Sequence, residues 1–108
     1  MKLVEQELWE ILVPAAANDG AEIPVEHHRK WDDSVRAIAG GLTIMRTAKG
    51  QWIDETGKLF TEKMIPVRIT CSRRQIEQIM KLTMQHYDQL ATMAYRISEQ
   101  ALILERDQ

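Results

Sequence analysis

Two amphipathic helical patterns, each flanked by extended apolar segments, leave this chain few ways to fold. The clearer helix opens at Ser72-Arg73-Arg74-Gln75. A serine N-cap with glutamine at the third helical position satisfies backbone donors that a helix start leaves free. Ile76, Ile79, Met80, Thr83, Tyr87 and Leu90 then recur as one apolar stripe. The other pattern starts at Pro24, which suits a first helical turn, and carries His28, Trp31, Val35 and Ile38 on one face. Gly40-Gly41 ends it, because glycine enters the left-handed conformation cheaply.

The segments between are extended. Leu8 to Val13 (LWEILV) is dense in β-formers and stops at Pro14. Trp9, Ile11 and Val13 share one of its faces; Leu8, Glu10 and Leu12 share the other. A loop with Asp19-Gly20 as its turn signal leads to the first helix. Leu42 to Arg46 is a short β segment, residues 47–50 turn the chain, and Gln51 to Asp54 is a second piece. Residues 55–58 make a hairpin-like turn into a long extended run, Leu59 to Cys71. Within that run Ile65, Val67, Ile69 and Cys71 face one way, and Met64, Arg68 and Thr70 the other. Pro66 lacks an N–H for the ladder, which requires an edge or a bulge there. Met93 to Ile97 is a strand, Ser98-Glu99-Gln100 a bulge or tight turn, and Ala101 to Leu104 its continuation. Residues 105–108 are expected to fray.

The order is β-α-β-β-α-β. It predicts a ferredoxin-like α+β sandwich over 1–108, with two helices on one face of an antiparallel sheet. The strands are apolar on both faces, so the uncovered face needs a partner, and a homo-oligomer is expected.

Composition narrows the function classes. The 108 residues are 44% apolar and 28% charged, which suits one globular domain. A domain of this size buries about 65% of its unfolded surface. The formal charge of −2 gives no basic excess for a phosphate backbone, which argues against a nucleic-acid partner. A single cysteine, Cys71, excludes an intramolecular disulfide framework and any multi-cysteine metal site. No apolar run is long enough to span a membrane, and the acidic N-terminus is no secretory signal, so a cytoplasmic protein is the default.

Few residues carry obvious chemistry. There is no glycine-rich phosphate motif and no nucleophile elbow. Glu10 interrupts an apolar strand, so it is either a binding acid or the partner of a base such as Arg68 or Arg96 on a neighbouring strand. His27 and His28 diverge by about 100° on a helix and do not grip one metal, and His28 and His86 read as hydrogen-bonded packing residues. No metal or cofactor is implied. Cys71 aligns with apolar neighbours and reads as buried. The segment Lys49 to Arg68 gathers Trp52, Phe60, Glu62 and Arg68. Trp52 suits stacking on a flat ring or a cation, Glu62 suits neutralising positive charge, and Arg68 suits a carboxylate or phosphate. The same residues also suit a solvated hairpin with one aromatic anchor.

From Leu8 to about Leu104 the chain resembles the phage-type S-adenosylmethionine lyases, formerly called hydrolases. The likeness rests on the opening strand, the histidine- and arginine-bearing helix, Gly50-Gln51-Trp52, and Glu62-Lys63 leading into Val67-Arg68-Ile69-Thr70-Cys71. An amphipathic helix and a closing strand with Tyr95 follow. Gly41-Leu42-Thr43-Ile44 with Gly50-Gln51-Trp52 also resembles small uncharacterised bacterial domains. The lyase resemblance implies a fold related to the PII signalling proteins and a trimer with sites between subunits. It implies cleavage of S-adenosylmethionine, or a nucleotide conjugate of it, by attack of the substrate's own carboxylate on its γ-carbon. By position the family's glutamate falls on Glu62 as the catalytic residue. Its tyrosine falls on Trp52, which has no hydroxyl. Trp52, Arg68, Glu10 and Tyr95 would bind a nucleoside-type ligand. Two other readings are a non-catalytic PII-like module for a nucleotide or a protein, and a structural oligomer of an accessory protein.

Overall fold

The computed structural model describes residues 1–107. The strands are β1 (Lys2–Pro14), β2 (Thr43–Ile44), β3 (Ala48–Ile53), β4 (Leu59–Thr70) and β5 (Ala94–Glu105). The helices are α1 (Val25–Ala39) and α2 (Arg73–His86). All pairings are antiparallel, in the order β2-β4-β1-β5, and β3 shares β2's edge of β4. This is the expected ferredoxin-like, PII-like α+β sandwich, with its second strand broken into β2 and β3.

Pro66 accounts for the break. Ile44 lies opposite Val67 and Ala48 opposite Met64, so the β2–β3 side holds one residue more than β4. That is a bulge. Pro66 accepts from Met45 N–H at 2.9 Å, so its missing donor faces the gap between β2 and β3. On its other side it pairs with Leu12, whose N–H turns away to Met93 O at 3.1 Å. The proline therefore leaves no ladder bond unmade. Residues 48–50, expected in a turn, are part of β3 for the same reason.

The core lies between the helices and one face of the sheet. Trp9, Ile11, Val13, Val67, Ile69 and Cys71 meet Trp31 and Val35 of α1 and Ile76 and Ile79 of α2. One polar tie crosses this layer: Trp31 Nε1 donates to Thr83 Oγ1 at 2.9 Å, and that hydroxyl donates to Ile79 O at 2.6 Å. The capping box forms as expected, with Gln75 N–H on Ser72 Oγ and Ser72 N–H on Gln75 Oε1. Leu90 departs from expectation. Helix α2 ends at His86, so Leu90 falls beyond the stripe and is fully exposed.

Both ends of the sheet extend into two-stranded arms. Residues 2–6 of β1 pair only with the end of β5, because β4 joins at Leu8. At the opposite end, residues 59–63 of β4 pair in register only with β3. The molecule is accordingly 55 Å long and 23 Å thin. β1 is thus longer than the LWEILV segment, and Glu105 is a strand residue opposite Lys2 rather than frayed. The expected bulge at residues 98–100 occurs, where the β1–β5 register shifts between Gln6 and Leu8. Of the residues expected to fray, Gln108 lies outside those described.

The α1–α2 seam is built from histidines. His27 Nε2 donates to His86 O at 2.7 Å, His86 Nε2 donates to His27 O at 2.6 Å, and the rings stack 4.0 Å apart. His28 Nδ1 lies 2.7 Å from the Tyr87 hydroxyl. Burial lowers the His28 pKa below its usual 6.5; His27 and His86 push the same way and Asp32 opposes them. The folded chain therefore holds fewer protons on His28 than the unfolded chain does just below pH 6.5. The stability this group contributes is complete above that pH and is lost as the pH falls through its folded pKa. Denaturant melts at pH 7.5 and pH 5.5 should show the fold weakening on acidification, and His28→Gln should shrink the difference. Equal stability at both pH values would remove the histidine seam as a pH-sensitive element.

Candidate functional site

The arm made by β3 and the start of β4 is set by its turn. Asp54 Oδ1 accepts from Thr56 N–H at 2.9 Å, Thr56 Oγ1 at 2.7 Å and Lys58 N–H at 3.0 Å. These bonds hold its carboxyl pKa below the usual carboxylate value, the Thr56 hydroxyl contributing most. Gly57, at φ 86°, takes the left-handed position the turn requires. The register that follows puts Trp52 opposite Phe60 and Gly50 opposite Glu62. Alternation then sends all four to one face. Trp52 and Phe60 stack 5.5 Å apart at 10°, and Lys58 Nζ sits 4.9 Å from the Phe60 centroid. A Cβ on Gly50 would come within 2.6 Å of Met64 Cε, so the glycine lets Met64 lie flat across β3.

Over the end of β1, between this arm and the α2–β5 connection, lies a cleft of about 590 Å³. Trp52, Phe60 and Glu62 come to it from the arm; Gln89, Thr92 and Met93 come from the connection. Its size is that of a small-molecule site.

A second cluster lies on the open face of the sheet. Glu10 stands between Arg68 on β4 and Tyr95 on β5 in the strand register. Arg68 Nε donates to Glu10 Oε1 at 3.0 Å, and the Tyr95 hydroxyl donates to Glu10 Oε2. The carboxylate side chain is only 10% exposed, against 44% for Arg68. Of the two bases anticipated for Glu10, Arg68 takes the position, and Arg96 pairs instead with Glu7 at 2.7 Å and Glu99 at 3.3 Å.

The residues singled out from sequence thus fall into two groups. Trp52 and Glu62 share the cleft; Glu10, Arg68 and Tyr95 share the open face. Glu62 and Arg68 project to the same side of β4 but lie about 20 Å apart along it. Within one protomer a single small ligand does not touch both. Gln89 and Thr92 were not anticipated as site residues, and Phe60 was gathered in the Lys49–Arg68 segment without a role of its own. Its pairing was findable, since it stands opposite Trp52 once the turn at residues 54–58 is set. Gln89 and Thr92 carry no local signal and reach the cleft only through the path of the chain after α2.

Cys71 is buried, and its thiol is pushed up to about 11, chiefly by burial and further by Glu7. Among the described residues, no group of three or more His, Cys, Asp or Glu side chains converges as a metal site would require. No helix there is long and apolar enough to cross a membrane.

Native protein at pH 8 should react with a thiol reagent far more slowly than urea-unfolded protein, and matching rates would show Cys71 to be accessible. Arg68→Met should destabilise the fold by about 1–2 kcal/mol in urea melts, because it leaves Glu10 with Tyr95 alone. A change within error would make the pair energetically idle.

By sequence the chain matches no protein-family model and no curated protein. Its fold does have solved counterparts. A phage S-adenosylmethionine lyase, solved in complex with S-methyl-5′-thioadenosine, aligns at 14% identity with TM-score 0.65, over 93% of this chain and 90% of its own. CutA1 from Oryza sativa aligns at 12% identity with TM-score 0.64, over 96% and 84%. The periplasmic divalent cation tolerance protein CutA from Archaeoglobus fulgidus aligns at 11% identity with TM-score 0.60, over 97% and 88%. At such identities the likeness is one of fold: this chain has the architecture that CutA proteins and a phage S-adenosylmethionine lyase share.

Proposed function

We propose that the protein is a small oligomeric lyase that degrades S-adenosylmethionine or a nucleotide conjugate of it. The observation that carries the reading is the stacked Trp52–Phe60 pair beside Glu62 at one cleft. A flat aromatic surface next to a carboxylate suits a ligand with an aromatic base at one end and cationic groups at the other. The shared fold with a lyase that holds methylthioadenosine supports the same choice.

The chemistry asks little of the chain. The substrate carboxylate forms a bond to its own γ-carbon, and the bond from that carbon to sulfur breaks. The electron pair goes to sulfur, so a sulfonium and a carboxylate become a thioether and a lactone. No proton moves, and no protein nucleophile is needed. Rate then comes from holding the folded-back conformer in a site drier than bulk solvent, where charge cancellation is favoured. A carboxylate pressed against the sulfonium would stabilise the starting state most. Glu62 is better used on the substrate ammonium, which keeps its charge throughout.

The two arms and the open sheet face favour a homo-oligomer, and the resemblance to the lyases makes a trimer its proposed form. Leu3, Leu102 and Leu104 on one arm and Trp52, Ile53 and Leu59 on the other are exposed. Leu8, Leu12 and Met64 on the open face are half-buried. A partner subunit covering these surfaces would also close the cleft, and in that assembly the Arg68 η-nitrogens, left over by the Nε bond to Glu10, would serve the site of another copy.

The test is to incubate the protein with S-adenosylmethionine and quantify methylthioadenosine and homoserine lactone by mass spectrometry. Turnover above the spontaneous rate is expected, with Glu62→Gln raising KM on the order of 10-fold at little change in kcat while the circular dichroism spectrum is unchanged. Thermal stabilisation by methylthioadenosine without turnover would replace the lyase with a binding module. Neither turnover nor stabilisation would leave a structural oligomer.

A further inference from the structure

The two arms leave matching strand edges bare. Glu7 O accepts from Cys71 N–H at 3.1 Å, so the backbone of Glu7 faces the β4 side of β1. The bulge beside it puts its extra residues in β5, so alternation in β1 is unbroken, and Glu5 and Leu3 face the same way as Glu7. β4 has already given way to α2 there, and no strand stands beside them. At the other end Lys63 O accepts from Ala15 N–H at 3.2 Å. Thr61 and Leu59 follow on that same side of β4, past the end of β1. Each edge therefore holds two residues whose backbone N–H and C=O have no strand partner among the described residues. Such an edge is a template for another chain. The outer edges of β5 and β3 are bare too, but a bulge interrupts the first and the break between β2 and β3 interrupts the second.

We infer that these two edges pair with each other between copies of this chain, residues 2–5 of one copy against residues 59–62 of the next. This gives the proposed homo-oligomer its contact; it rests on that oligomer and not on the lyase chemistry. Antiparallel pairing that uses all four bare residues has one register, Leu3 opposite Thr61 and Glu5 opposite Leu59. Each of these pairs exchanges both of its backbone bonds. The backbone alone selects that register, and the side chains fit it. Lys2 falls opposite Glu62 and Val4 opposite Phe60, an ion pair and an aromatic–β-branched pair of the kinds that favour strand association. On the other face Leu3 and Leu59, 61% and 56% exposed in a single copy, become diagonal neighbours.

The contact also completes the cleft. β1 stops at Pro14, and the neighbour's residues continue its line along β4, so the gap gains a wall that one copy lacks. The neighbour's Lys2 then stands beside Glu62, whose second carboxylate oxygen remains for a ligand. Because the two edges differ, the contact is head-to-tail, and such contacts close into a ring where the rotation allows.

The experiment reads mass in solution by light scattering on the full chain, with no substrate present. Wild type should be an oligomer. Leu3→Pro and Thr61→Pro each remove an N–H that serves the bare edge and no ladder within the copy, so each variant alone should fall to monomer mass. Mixed in equal amounts, they should form dimers, since each supplies the edge that the other lacks. Val4 and Phe60 stand at a non-hydrogen-bonded position, where side chains come closest. The double variant Val4→Cys/Phe60→Cys should therefore cross-link between copies on oxidation, and either single variant far less. An oligomer that neither proline variant reduces, or a double cysteine variant that cross-links no more than the singles, overturns the edge pairing and leaves the oligomer standing on its open sheet face. A monomeric wild type overturns the pairing and the oligomer together, while turnover tests the lyase reading separately. The cross-link decides the matter where a proline variant does not fold.

Discussion

Strand β1 is hydrogen-bonded on both sides, to β4 and to β5, and the rest of the fold is arranged around that double pairing. Its alternation sends Trp9, Ile11 and Val13 into the helix layer and Leu8, Glu10 and Leu12 to the open face. A carboxylate in the middle of such a strand needs donors from its neighbours, since a buried charge without partners is expensive. Both neighbours provide one, Arg68 and Tyr95, at the cross-strand positions. The open face therefore carries Leu8, Leu12 and Met64 around one neutralised ion pair, with Thr43, Thr70 and Ser98 beside it in the register.

The same strand fixes where the cleft lies. β1 stops at Pro14 while the hairpin of β3 and β4 continues past it. On the other side the chain re-enters the sheet only at Ala94. A strand that ends between longer neighbours leaves a gap, and side chains from both flanks close around it. Asp54 matters here although it does not line the gap. By fixing the turn it sets the hairpin register, and the register decides that Trp52, Phe60 and Glu62 share a face.

The parts of this architecture that depend on local chemistry were legible in the residues. The capping box at Ser72, the glycine stop at Gly40, the alternation in LWEILV and the ladder defect at Pro66 each have causes within a few positions. They were enough to give the element order and the sheet. What stayed hidden depends on distant partners. Lys2 to Gln6 has no obvious strand character, and it is extended because Ala101 to Glu105 pairs with it. Leu90 fits the periodicity of α2, yet the helix ends before reaching it. Within the site, the likeness of Glu10 and Arg68 to a cross-strand pair was readable from alternation. The grouping of Trp52 with Gln89 and Thr92 was not, because it joins an arm and a connection separated by the whole of α2.

Tryptophan at position 52 bears on the chemistry that such a cleft can support. A tyrosine there would add a hydroxyl, a group useful for steering a proton or stabilising developing negative charge. Intramolecular displacement at a sulfonium has neither demand. Opposite charges disappear, the leaving sulfur becomes neutral, and nothing is protonated. The requirements are an aromatic surface that holds the base, a cation-holding carboxylate off the reacting atoms, and exclusion of water that would shield the carboxylate and sulfonium from each other. Indole offers a larger stacking surface than phenol and no competing acceptor. On the proposed lyase reading, an indole at this position gives up only a polar handle that the displacement does not use.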